Sequence, residues 1–136
     1  EAHPVQRAAR VYSSTESWTY TTQAWRVWNN DSNVVAQLLA HPSLPVRADV
    51  LVATQSTTGG ARKAGIGLDS VSTLATGASD SPVQPDSNAF GIAQSRLQTV
   101  LAEGYHYLAP LEWALQTGTC TWYGGEGNNM EVTLWA

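Results

Sequence analysis

Cysteine is almost missing. Cys120 is the only one in 136 residues, so no disulfide can form within the chain, and the compartment cannot be read from disulfides. Charge is scarce as well. Lys and Arg number 7, Asp and Glu 11, and charged residues make up 13%, about half the usual share. A net charge of -4 without a basic stripe argues against a nucleic-acid partner. No apolar run approaches the roughly 18–20 residues needed to span a bilayer, so no membrane partner is expected. His3, His41 and His106 are scattered and carry no ligand spacing, and no metal or other cofactor is expected. Phe and Met occur once each.

Other residues are plentiful. Six Trp and five Tyr stand against that single Phe. Such rings favour places where one edge is buried and the other wet. Thr, Ser, Gln and Asn supply much of the polar surface, which suits sheets and protein–protein contacts. A chain of this length forms one domain with a real core. It begins at Glu1 rather than Met, as a processed or truncated product would. Asn30-Asp31-Ser32 matches a glycosylation sequon, a pattern common by chance.

Short β-rich runs separated by turn residues dominate the order. Strands are expected at Ala9–Ser13, Trp18–Thr22, Ala24–Trp28, Val34–Leu39, Val46–Thr54, Arg62–Leu68, Ala89–Ser95, Tyr105–Leu115, Thr119–Tyr123 and Met130–Trp135. Asn29–Asn33, His41–Pro45 and Gly124–Asn129 read as breaks. Thr57-Thr58-Gly59-Gly60 reads as a turn that lets Arg62–Leu68 pair with the preceding strand. Residues 76–88, TGASDSPVQPDSN, form the longest expected loop. RLQTVLAE, 96–103, is ambiguous, because Leu97, Val100 and Leu101 also have helical spacing. The pattern predicts an all-β sandwich or barrel.

The stretch GYHYLAPLEWALQTGTCTWYGG, 104–125, collects His, Glu, Cys and aromatics. Read as a hairpin around Thr117-Gly118, its first strand puts Tyr105, Tyr107, Ala109, Leu111, Trp113 and Leu115 on one, core-facing side. His106, Leu108, Pro110, Glu112, Ala114 and Gln116 take the other. Pro110 suggests an edge or a bulge. His106 and Glu112 are six residues apart, roughly 20 Å along a strand, too far for an acid–base pair. Cys120 has no activating neighbour in sequence and reads as a small buried hydrophobe. Gly65-Ile66-Gly67-Leu68-Asp69-Ser70 lacks the phosphate-loop patterns, so it reads as a strand entering a turn capped by Asp69 and Ser70.

"ARVYSS", "VRADVLVATQS", "AGIGLDSVST", "GYHYLAPLEWAL", "GTCTWYGG" and "MEVTLWA" together resemble bacteriophage virion-surface domains, found in capsid-decorating (cement) proteins and at tail-fibre tips. Their layout is similar to the jelly rolls of the C1q and tumour-necrosis-factor type. The resemblance implies an all-β jelly-roll β-sandwich of about 8–10 antiparallel strands without enzymatic activity. It implies a single domain over 9–136 preceded by an N-terminal arm, residues 1–8. It implies a virion-surface location, a homo-oligomer (dimer or trimer), and the major capsid protein as partner. Trp18, Trp25, Arg26, Trp28 and Trp135 are the expected interface anchors. The alternative is the receptor-binding tip of a tail fibre, joined to a fibre shaft, that recognises a host-surface glycan or protein through exposed aromatics and the 76–88 loop.

Overall fold

The computed structural model describes the backbone of residues 6–135 and the side chains of residues 9–135. The strands are β1 Gln6–Val11, β2 Ser17–Thr19, β3 Arg26–Val27, β4 Ala36–Ala40, β5 Leu44–Ser56, β6 Arg62–Leu68, β7 Phe90–Leu101, β8 Gly104–Ala114, β9 Cys120–Tyr123 and β10 Asn129–Trp135. One 3-10 turn, Trp28–Asn30, follows β3. All strand pairs are antiparallel, and they form two sheets packed as a jelly-roll sandwich.

The first sheet is built on β5. Of its 13 residues, Leu44–Gln55 pair with β7 along one edge. The other edge carries two partners end to end: β10 opposite Val46–Leu51 and β9 opposite Thr54–Ser56. The amide of Ala53 falls in the gap between them, where the Asn128 Oδ1 accepts it at 2.7 Å. A side chain thus supplies the bond that a strand would otherwise supply. β1 extends the sheet beyond β10, and β2 beyond β9. The second sheet is built on β8. β6 lies on one side of it, and β3 and β4 follow one another on the other side.

Strand alternation sets the core. Val46, Ala48, Val50, Val52 and Thr54 of β5 point inward, as do Ala93, Leu97 and Leu101 of β7. Ala64 and Ile66 of β6 meet them from the second sheet, together with Leu108 of β8.

Three expectations are corrected, and the ambiguity of RLQTVLAE is settled. Arg62–Leu68 does not pair with β5; it pairs with β8, so Thr57–Gly60 carries the chain between sheets. The expected hairpin of Tyr105–Leu115 with Thr119–Tyr123 is also such a crossing, since β8 and β9 lie in different sheets. RLQTVLAE is strand through Leu101, not helix. Residues 6–8 of the expected arm belong to β1, paired with Trp135–Thr133 of β10. Residues 1–5, with His3, lie outside the described residues.

The side assignment of β8 is also reversed. Register pairs Arg62, Ala64, Ile66 and Leu68 with Ala114, Glu112, Pro110 and Leu108. Directly opposed residues share a face, so the set containing His106 and Glu112 looks into the sandwich. Tyr105 is exposed instead. Ala109 and Leu111 are nevertheless buried, because β8 is covered outside as well. Trp25 and Leu74 occupy the space where a side chain at Gly65 would stand. Lys63 lies over the Trp113 ring at 4.3 Å and reaches Asp80 at 3.7 Å. Pro110 is buried in a central strand. It sits opposite the break between β3 and β4, where no partner strand runs on that side.

The GIGLDS turn is as expected. Asp69 Oδ1 accepts the Tyr107 amide at 3.0 Å, and Ser70 Oγ accepts the Thr73 amide at 3.0 Å. The chain folds back so tightly that a Cβ on Gly67 would overlap the Ser70 carbonyl oxygen, whereas Gly127 faces open space. Gly67→Ala should therefore cost roughly 1–3 kcal/mol. Gly127→Ala should stay within about 0.5 kcal/mol. Urea denaturation of the two variants checks the contrast.

Candidate functional site

Three features combine polar or exposed groups: a buried carboxylate, an apolar patch on the outside of the second sheet, and a polar trough on the outside of the first.

The buried carboxylate is Glu112, with no exposed surface. Trp18 Nε1 donates to Oε1 at 2.6 Å. Arg26 Nε donates to Oε2 at 2.6 Å, and the Asn29 amide reaches the same oxygen at 3.3 Å. Trp18 belongs to the first sheet and Glu112 to the second, so this bond crosses the sandwich. Arg26 also lies 3.9 Å from the centre of the Tyr20 ring, a cation–π contact. Trp28 packs against Trp18, with centroids 6.5 Å apart, and donates its Nε1 to the Leu111 carbonyl at 3.2 Å. Burial pushes the Glu112 carboxyl up to about 7, against the pull of Arg26 and Trp18.

Arg62 is the second fully buried charge. Its Nη1 donates to the Gly60 carbonyl at 2.6 Å, while Nε and Nη2 have no hydrogen-bond partner among the described residues. Burial lowers its pKa; nearby Cys120 acts the other way. Cys120 is itself buried.

His106 closes one end of the sandwich. Its Nδ1 lies 2.8 Å from Asp69 Oδ2 and its Nε2 2.7 Å from the Ala102 carbonyl. Two acceptors suit a doubly protonated ring, and the Asp69 hydrogen bond raises its pKa. His106 and Glu112 thus have separate partners, in keeping with their spacing. His41 is exposed beside Glu103, at 2.5 Å. Among the described residues no group of three or more His, Cys, Asp or Glu is placed to hold a metal.

The apolar patch is the cross-strand pair Leu39 and Tyr105, 74% and 59% exposed. The trough, about 1080 Å³, lies on the outer face of β5, β7 and β10. Glu131, Asp49 and Arg96 line it in register across three strands, and Arg10 on β1 continues the row beyond Glu131. Arg10 bonds Glu131 at 2.8 Å; Arg96 and Arg47 bond the two Asp49 oxygens at 2.6 and 2.8 Å. Burial disfavours the Asp49 charge, but the hydrogen bonds from Arg47 and Arg96 outweigh it and hold the carboxyl below its ordinary range. Gly77 and Ser79 form one wall. Ser79 is pinned to β7 by its amide on the Arg96 carbonyl at 3.0 Å and its Oγ under the Arg96 amide at 2.9 Å.

Of the expected anchors, Trp18 and Trp28 are corrected: both rings are buried within the chain and serve the Glu112 cluster. Arg26 is committed to the same carboxylate, though partly exposed. Trp25 and Trp135 are half-buried. The trough row escaped sequence reasoning. Its signal was the outward alternation Arg47, Asp49, Leu51 within VRADVLVATQS.

No family model matches the chain, and no curated protein does. Among solved structures it is similar to Eiger TNF from S. frugiperda, with TM-score 0.55 and 11% identity, over 98% of this chain and 94% of that one. It also matches the EclA C-terminal domain, a sugar-binding protein, with TM-score 0.45 and 10% identity, over 88% of this chain and 79% of that one. The first likeness shows the fold: a TNF-like jelly roll.

The Glu112 carboxyl titrates higher in the folded chain than in the unfolded one. Its contribution to stability is therefore complete below about 4.5 and is lost as pH rises through about 7. The full span is worth on the order of 3 kcal/mol. Glu112→Gln should flatten the decline in stability between pH 5 and 8, measured by urea unfolding at each pH. His106 contributes in the same direction, and His106→Gln separates the two.

Proposed function

We propose that this chain is a non-enzymatic structural protein of a bacteriophage virion surface, a capsid-decorating cement protein that acts as a homo-oligomer, dimer or trimer. The observation that carries this reading is the Leu39–Tyr105 patch. Two large apolar side chains stand exposed, opposite one another, on the outer face of the second sheet. Exposed apolar surface of this kind marks protein contacts when it is clustered. The occupant would be the major capsid protein. Repetition of a modest contact over a shell multiplies its strength by avidity. Scarce charge supports the same reading, since interface cores are depleted of it.

The tail-fibre reading has its own support in the polar trough, which lies on the opposite outer face and would meet a host-surface receptor. The two readings separate on where the protein is needed.

Cosedimentation with shells assembled from the capsid protein of the same phage tests the proposal. Wild type should bind and raise the temperature at which heads rupture. Leu39→Ser with Tyr105→Ser should bind at least about tenfold more weakly, with unchanged urea unfolding. Heads that neither bind nor need the protein, on virions that fail to adsorb without it, would overturn the cement reading in favour of the fibre tip.

A further inference from the structure

We infer that the trough on the first sheet binds a neutral oligosaccharide, with the Asp49–Arg96 pair at its centre. This does not rest on the virion assignment.

The trough is ligand-sized, at about 1080 Å³, and its lining is polar. Asp49, Arg96, Glu131, Gln94, Gln98 and Asn129 carry most of that polarity. A sugar hydroxyl both donates and accepts, so it needs donors and acceptors side by side. Each amide supplies both, and the Arg96–Asp49 pair presents a guanidinium next to a carboxylate. Arg47 and Arg96 use only their Nε atoms on Asp49; their terminal Nη groups make no hydrogen bond among the described residues. The ion pairs hold these groups in place before any ligand arrives, which lowers the cost of binding.

Two other occupants suit the trough less well. A protein interface core is depleted of charge, while this floor is built of it. A second copy centred on the row is disfavoured by the order of signs. Arg10, Glu131, Asp49 and Arg96 read plus, minus, minus, plus across the sheet. A two-fold axis along the strands sets Arg10 against the other copy's Arg96, and Glu131 against its Asp49. A two-fold axis across the strands sets each charge against itself. Like charges meet either way, at a cost of several kcal/mol. Most of the charge is already paired, three arginines with two carboxylates, so an ionic ligand is not required.

The same face continues to an aromatic platform. Outward residues of β5 and β7 run from Asp49 and Arg96, past Leu51 and Gln94, to Gln55 and Phe90. Phe90 is 63% exposed, and its ring lies 5.4 Å from that of Tyr123. Tyr123 donates its hydroxyl to Gln55 Oε1 at 3.1 Å. Six residues of strand separate the platform from the Asp49–Arg96 pair, about 20 Å. Ile92, half exposed, lies between them. A polar end that takes hydroxyls and an aromatic end that takes a pyranose C–H face suit a chain of several sugars rather than one.

The test is a glycan microarray holding neutral hexose, deoxyhexose and N-acetylhexosamine oligosaccharides beside sialylated and sulfated ones, probed with the whole chain. Wild type should bind at least one neutral oligosaccharide. Arg96→Ala and Gln94→Ala should each lower that binding by roughly tenfold or more. Both side chains are exposed; Gln94→Ala should leave urea unfolding unchanged, and Arg96→Ala, which removes one surface ion pair, should lower the urea midpoint only slightly. Phe90→Ala should weaken long oligosaccharides while leaving short ones unaffected. Amide shifts with the best binder should cluster on 47–51, 94–98 and 129–131. No neutral glycan bound above the Arg96→Ala background would overturn the inference. So would binding confined to acidic glycans and abolished by salt, shifts that map elsewhere, or a protein ligand competing for this face when every glycan fails.

Discussion

The Glu112 carboxylate is the point on which the N-terminal third of the fold depends. β2 and β3 have three and two residues, too few for ladder bonds to hold them. Side chains do so instead. Trp18 reaches the carboxylate from the first sheet, Arg26 from β3 itself, where it stands opposite Glu112, and the Asn29 amide from the turn after β3. Removing a carboxylate from water is costly unless its lone pairs are filled. Three donors fill them here. The cost explains the raised carboxyl, and the donors explain why it is tolerated. Trp28, fully buried and tilted against Trp18, packs over the cluster. Trp18 and Trp28, two of the four tryptophans that look like surface anchors in the sequence, are spent closing this site.

With the core closed in this way, the two outer faces are left to differ. The outside of the second sheet is apolar at Leu39 and Tyr105 and screened elsewhere by Trp25, Leu74 and the Lys63–Trp113 stack. The outside of the first sheet is polar, with paired charges in one row and an aromatic pair at one end. The sandwich holds these faces apart, so one can meet a shell while the other faces outward. The proposed attachment and the inferred glycan site therefore do not compete for surface.

The strand content and the class were legible because alternation and turn residues are local. Arg62–Leu68 is a strand with the expected bounds. Pairing was not legible, because both Thr57–Gly60 and Leu115–Thr119 look like hairpin turns while carrying the chain between sheets. Leu97 and Leu101 left their segment ambiguous for a simple reason: a spacing of four is also even, so it satisfies a strand face as well as a helix face. Val100 is exposed as a result. The side assignment of β8 failed because the strand is buried on both sides, and its more apolar set faces the outer covering. Glu112 could not be recognised as a core residue, since its partners Trp18 and Arg26 lie 94 and 86 residues away.

The most direct measurement is the pKa of Glu112 itself, followed through its side-chain carboxyl carbon by NMR. A sealed carboxylate held between Trp18 and Arg26 predicts titration near 7. Titration near 4.5, the ordinary glutamate value, would mean that water reaches the carboxylate and that the cluster does not close the sandwich.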